Sequence, residues 1–127
     1  MEDHIRNSTT TQYKAIFPET LNANETLFGG QAMKWMDEVA YITATRFARE
    51  RMFTVTVEKI NFLKAIHPGS IAVITGRIEK VKLLKVYVLV DVYVEEMYGQ
   101  NREKAIEGTF IFTAVDEQNK PKKITLK

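Results

Sequence analysis

The sequence predicts an α+β domain in which a curved antiparallel sheet of five to six strands wraps one long central helix. Three observations predict it. A single sustained helical period follows Gly29-Gly30. Only strand-like segments come after it, and short turns join them, which favours antiparallel neighbours. An antiparallel sheet needs one face covered, and a single helix is available to cover it.

Residues 1–12 are polar, rich in Ser, Thr, Asn and Gln, and without period, so they are expected to form a flexible tail. The remaining residues, 13–127, read as one domain. Residues 13–17 suit a short strand ended by Pro18, and residues 18–28 a loop. The helix runs from Gly29 to about Glu50, because Met33, Met36, Ala40, Ala44 and Phe47 share one face at ~100° per residue. Arg46 and Arg49 suit its last turn. Phe53, Val55 and Val57 alternate with Thr54 and Thr56, and the phase breaks near Glu58–Ile60, where a bulge is expected. His67-Pro68-Gly69 is a turn. Residues 70–81 form the next strand. Val86, Val88, Val90, Val92 and Val94 give the cleanest period-two run. Residues 105–114 form the last strand, before a charged tail from Asp116.

Composition excludes several classes. The 127 residues fit one core, and 45% hydrophobic with 27% charged residues is ordinary for a folded soluble chain. A net charge of +2 without a basic, aromatic-studded stripe argues against nucleic acid as a partner. The absence of cysteine removes disulfides, thiolate zinc sites and a cysteine nucleophile. No leader and no apolar run near ~20 residues is visible, so a cytoplasmic location without a membrane span is expected.

Asp37 is the most informative residue. It lies within about 60° of Met33, Ala40, Ala44 and Ala48 on the helical wheel, interrupting an apolar arc. Burial there would raise its pKa and suit it to act as a base. The competing reading is a rim residue, or a partner of Lys34 or a sheet side chain. Gly29-Gly30 offers main-chain N–H groups at a helix start, able to receive an oxyanion, or else only a tight turn. Asn22 and Asn24 suit orienting roles, or turn and capping roles. Two serines, Ser8 and Ser70, and two histidines, His4 and His67, are poorly placed for a Ser-His-Asp arrangement or a histidine metal site. What remains for hydrolysis is a carboxylate acting on water or directly on the substrate.

The stretch from Asn22 through Phe28-Gly29-Gly30, followed by Met36-Asp37-Glu38, resembles the acyl-CoA thioesterases of the hotdog superfamily. The YciA-like bacterial enzymes and the brain acyl-CoA hydrolase group are the most similar. The resemblance continues through Thr54–Glu58, Asn61-Phe62, Pro68-Gly69 and Ala114-Val115-Asp116. It implies a hotdog fold and hydrolysis of acyl-coenzyme A to fatty acid and coenzyme A, with no cofactor or metal. It also implies a dimer whose site lies between subunits, often within a trimer of dimers. By the same resemblance Asp37 is catalytic, assisted by Asn22 or Asn24 from the facing subunit. The Gly30 N–H polarises the carbonyl, Thr54 lies near the reacting carbon or water, and Phe28 and Gly29 contact substrate. One departure stands out. Related enzymes carry small and hydroxyl residues in the hairpin that helps hold coenzyme A, where this chain has Lys80-Val81-Lys82-Leu83-Leu84-Lys85. Lys82 and Lys85 are expected to meet phosphates as point charges, or to cap a solvated tip.

Two other functions compete. A non-catalytic acyl-CoA sensor on the same fold would be expected to lack the carboxylate and to carry a DNA-binding segment. A hotdog hydratase would need a histidine beside the carboxylate.

Overall fold

The computed structural model describes residues 1–126, and the expected architecture is present. Helix α1 (Glu2–Ser8) precedes β1 (Thr10–Ala15), a single 3-10 turn (Pro18–Thr20) and the central helix α2 (Gly29–Ala48). Then come β2 (Met52–Phe62), β3 (Ser70–Lys82), β4 (Lys85–Glu96), β5 (Arg102–Val115) and the short β6 (Pro121–Lys122). The antiparallel sheet has the order β1-β3-β4-β5-β2, with β6 added on β5. Strand β2 therefore forms one edge.

Residues 1–12 differ from the expected tail. Seven of them form α1, and β1 begins at Thr10. A helix this short is marginal alone, so packing must hold it. Arg46 of α2 supplies part of that hold. Its guanidinium donates to Asn7 O at 2.8 Å, to Thr9 O at 3.1 Å and to Thr10 Oγ1 at 2.9 Å. His4 also meets Phe47 edge to face.

α2 buries Met36, Val39, Ala40, Thr43, Ala44, Phe47 and Ala48 against the concave face of the sheet. The alternation of β4 decides its inner face, with Val86, Val88, Val90 and Val92 all buried. Phe110 and Phe112 of β5 complete the core. Gly76 of β3 allows the helix to approach closely: a Cβ there would stand 2.6 Å from Thr43 Oγ1. The helix ends at Arg49, which adopts a left-handed conformation and donates its N–H to Thr45 O.

The expected break in β2 is real. Register shifts fall between Thr54 and Thr56 and again between Glu58 and Asn61, and Lys59 has φ 57°. The bulges turn Thr54, Ile60 and Phe62 toward the helix side of an otherwise exposed strand. Among the described residues no helix is long and apolar enough to cross a membrane.

Candidate active site

The first turn of α2 is chemically open. Phe28 is its N-cap without a capping side chain, and no acidic residue lies in the turn. The first intrahelical bond runs from Ala32 N–H to Phe28 O at 3.1 Å. The N–H groups of Gly29, Gly30 and Gln31 therefore have no acceptor within the helix, and the helix dipole adds positive potential there. Two aromatic rings flank this turn. The Phe28 ring lies so near Gly30 that a Cβ would stand 2.7 Å from it, and the Phe62 ring lies beside Gly29.

Seven residues along, Asp37 returns to nearly the same helical face as Gly30, about 10 Å up the axis. Helical side chains lean toward the N-terminus, so the carboxylate leans back toward those amides. Gly30, Lys34, Asp37 and Tyr41 form one exposed stripe. It borders β2, where the Thr54 hydroxyl comes near enough to the Asp37 carboxylate to influence its pKa.

The expectation that Asp37 faces the packed interior is corrected. Its side chain is exposed in the single chain. The buried stripe centres on Met36, Val39, Thr43 and Phe47, and Asp37 stands at its margin on the β2 side. Enough protein surrounds the carboxylate to raise its pKa above the ordinary value, burial being the largest cause. The nearby Thr54 hydroxyl opposes that rise and the neighbouring Glu38 charge adds to it. Lys34 forms no ion pair with Asp37 among the described residues.

The loop before α2 is tightly built. Leu21 bridges Leu27, and Asn22 N–H donates to Thr26 O at 2.8 Å. The Asn22 side-chain Oδ1 accepts from Asn24 N–H at 2.8 Å and from Thr26 N–H at 3.2 Å, while its Nδ2 donates to Thr26 Oγ1 at 3.0 Å. Asn22 thus organises the loop, as the turn reading expects. It also lines a cavity of about 490 Å³ with Leu27, Gly29, Ala32, Phe62 and Ile106. Asn24 is exposed and contributes only its backbone to this network.

Lys82 and Lys85 are not brought to this site within one chain. Lys85 pairs with Thr113, and Thr113 with Phe53, two strands or about 10 Å away. Alternation from buried Val86 puts Lys85 on the convex face, opposite Asp37. The 490 Å³ cavity touches β5 at Ile106, seven residues or about 23 Å along the strand from Thr113.

The histidines stand apart. His4 packs on Phe47, ten residues and about 15 Å along the helix from Asp37. His67 lines a neighbouring cavity of about 430 Å³ beyond Lys64 and Ala65. Among the described residues no three His, Asp or Glu side chains converge on a metal position.

Sequence reasoning misses two features of the site. Tyr41, one turn beyond Asp37, packs its ring against Phe112 at 6.4 Å, the residue paired with Thr54. Its spacing of four from Asp37 is the signal that could find it. Exposed Phe53 and Val55 on β2 form the other, and only the strand order reveals them as edge residues.

A sequence profile of the thioesterase superfamily matches residues 24–99. The chain is 33% identical over 108 residues to the acyl-CoA thioester hydrolase YciA of Salmonella typhimurium, covering 83% of this chain and 81% of that protein. The acyl-CoA hydrolase of Staphylococcus aureus, solved with butyryl coenzyme A, coenzyme A and coenzyme A disulfide, matches with a TM-score of 0.90 at 26% identity, over 96% of this chain and 74% of its own. A hexameric thioesterase of Yersinia pestis matches with a TM-score of 0.83 at 30% identity, over 90% of this chain and 93% of its own. The Staphylococcus aureus enzyme was also solved as alanine mutants of an asparagine, an aspartate 15 residues later and a threonine 17 residues after that. Asn22, Asp37 and Thr54 have the same two separations.

Proposed function

The chain belongs to the thioesterase superfamily and is an acyl-CoA thioester hydrolase, and from that premise we propose that Asp37 is its reactive carboxylate. The observation that carries this reading is the position of Asp37, its pKa raised by burial, on the same helical face as the open amides of Gly30 and beside the Thr54 hydroxyl of β2.

The thioester carbonyl oxygen lies at the Gly30 N–H, where the dipole favours its developing negative charge. Asp37 takes a proton from a water molecule as the water oxygen bonds to the carbonyl carbon. The carbon–sulfur bond then breaks, and the proton passes to the departing thiolate. A raised carboxylate pKa suits Asp37 to take that proton. The Thr54 hydroxyl orients the carboxylate. Phe28 and Gly29 bound the acyl group, which extends into the apolar cavity lined by Leu27, Ala32, Phe62 and Ile106.

The site is open in one chain, and a second copy closes it. β2 is eleven residues long, exposed along its outer edge, and presents Phe53 and Val55 at 46% and 45% exposure. Such an edge is a template for another strand. Pairing two copies through β2 makes a dimer with two sites, and three dimers make the hexamer that the Yersinia pestis neighbour forms. Between Asn22 and Asn24, the separation from Asp37 favours Asn22 as the assisting amide, offered by the facing copy.

Purified protein incubated with acyl-CoAs of increasing chain length should release free thiol. Absence of thiol release across the series overturns the proposal.

A further inference from the structure

The acyl cavity has a neighbour. The cavity of about 430 Å³ that holds His67 and the cavity of about 490 Å³ assigned to the acyl group share two wall residues, Lys64 and Ala65. On one side of them the wall is Leu27, Ala32, Phe62 and Ile106. On the other it includes Glu95, Glu96, Glu103 and Asn101. The lining therefore changes from apolar to acidic across two residues of the loop between β2 and β3.

The backbone of that partition is fixed at both ends. The N–H groups of Leu63 and Lys64 both donate to Ala105 O, at 2.7 and 3.1 Å, and Ile66 O accepts from Leu27 N–H at 2.7 Å. Ile66 itself is buried in the core. Only side-chain size and polarity remain to shape the wall. Ala65 adds a single methyl group to it. Lys64 forms an ion pair with Glu103 of β5. Glu103 lines the acidic cavity, so the pair anchors the ammonium on that side. The two side chains are 54% and 56% exposed, so the pair itself holds weakly. What stops an acyl chain here is the change of polarity, because a methyl group driven past Ala65 meets carboxylates that must keep their hydration.

We propose, on the reading of the 490 Å³ cavity as the acyl site, that Lys64 and Ala65 mark its end and set the acyl-chain length the enzyme prefers. Each methylene up to that wall is removed from water and strengthens binding about fourfold. Methylenes beyond it gain nothing, so kcat/KM climbs with chain length and then breaks. Straight saturated chains that end at the wall are the substrates the site takes best.

The full-length, assembled protein is assayed for thiol release from a series of straight-chain acyl-CoAs, each below its micellar concentration. Two variants move the wall in opposite directions. Ala65→Leu fills the end of the cavity, so the break should move to a shorter chain. Substrates at the wild-type optimum should then lose about tenfold or more in kcat/KM. That loss should grow with chain length, which a misfolded or disassembled variant would not show. Lys64→Leu with Glu103→Leu extends the apolar lining into the neighbouring cavity, so the break should move to a longer chain. A break that neither variant moves overturns the inference, and so does a loss in Ala65→Leu that falls equally on short and long chains. Wild-type protein that releases no thiol from any acyl-CoA overturns the parent reading, and this one with it.

Discussion

The hydroxyl of Thr54, on edge strand β2, lies close enough to the carboxylate of Asp37, on the central helix, to lower its pKa. The contact joins the two elements that border the open face of the chain, and it opposes the effect of burial on the Asp37 pKa. Hydrolysis needs the ionised carboxylate, so activity falls as pH drops through the Asp37 pKa. That acid limb should lie at higher pH than an unperturbed aspartate would give. Thr54→Ala removes the interaction that lowers the pKa, so the limb should move to higher pH. A pH profile of kcat/KM for both proteins checks the direction.

The same shift has a consequence for stability. A folded-state pKa above the unfolded one means that the folded chain holds the proton more tightly. The ionised carboxylate then costs stability at neutral pH, and the cost disappears below the unfolded value. Asp37→Asn should therefore melt at or slightly above the wild-type temperature at neutral pH, with no gain at low pH. Thermal unfolding at several pH values measures it.

Gly30 matters through its neighbour. Alanine there would push against the Phe28 ring, which is exposed and free to swing aside. Gly30→Ala should fold normally and melt within a few degrees of wild type. Displacing the ring that covers the reacting amides should lower kcat/KM about 10–100-fold, the scale of small misplacements at a site. An unchanged kcat/KM would remove Phe28 and Gly30 from the site.

Assembly should be inseparable from activity. Val55→Lys sets a cation on the exposed edge of β2, and two such edges cannot pair without opposing like charges. Light scattering should report smaller species, and thiol release should fall with the loss of assembly. A fully active monomer would show that one chain completes the site.

Much of the architecture is legible in the sequence. The 3.6-residue period after Gly29-Gly30 and the valine run of β4 specify the helix and the buried face of the sheet. The same alternation sets Lys85 on the convex face, a consequence the sequence also carries. Other features depend on what only folding supplies. α1 has no period because packing and the Arg46 hydrogen bonds hold it. The exposure of Asp37 escapes the helical wheel, since Ala40, Ala44 and Ala48 mark a stripe but not which of its margins borders the edge strand. The role of Asn22 depends on bonds inside its own loop.

The central claim is that Asp37 performs the chemistry, and Asp37→Asn tests it most directly, because the amide keeps the shape and removes the base. Thiol release from an acyl-CoA by the folded, fully assembled variant should fall about 10²–10⁴-fold. Near-wild-type turnover in that protein would contradict the account.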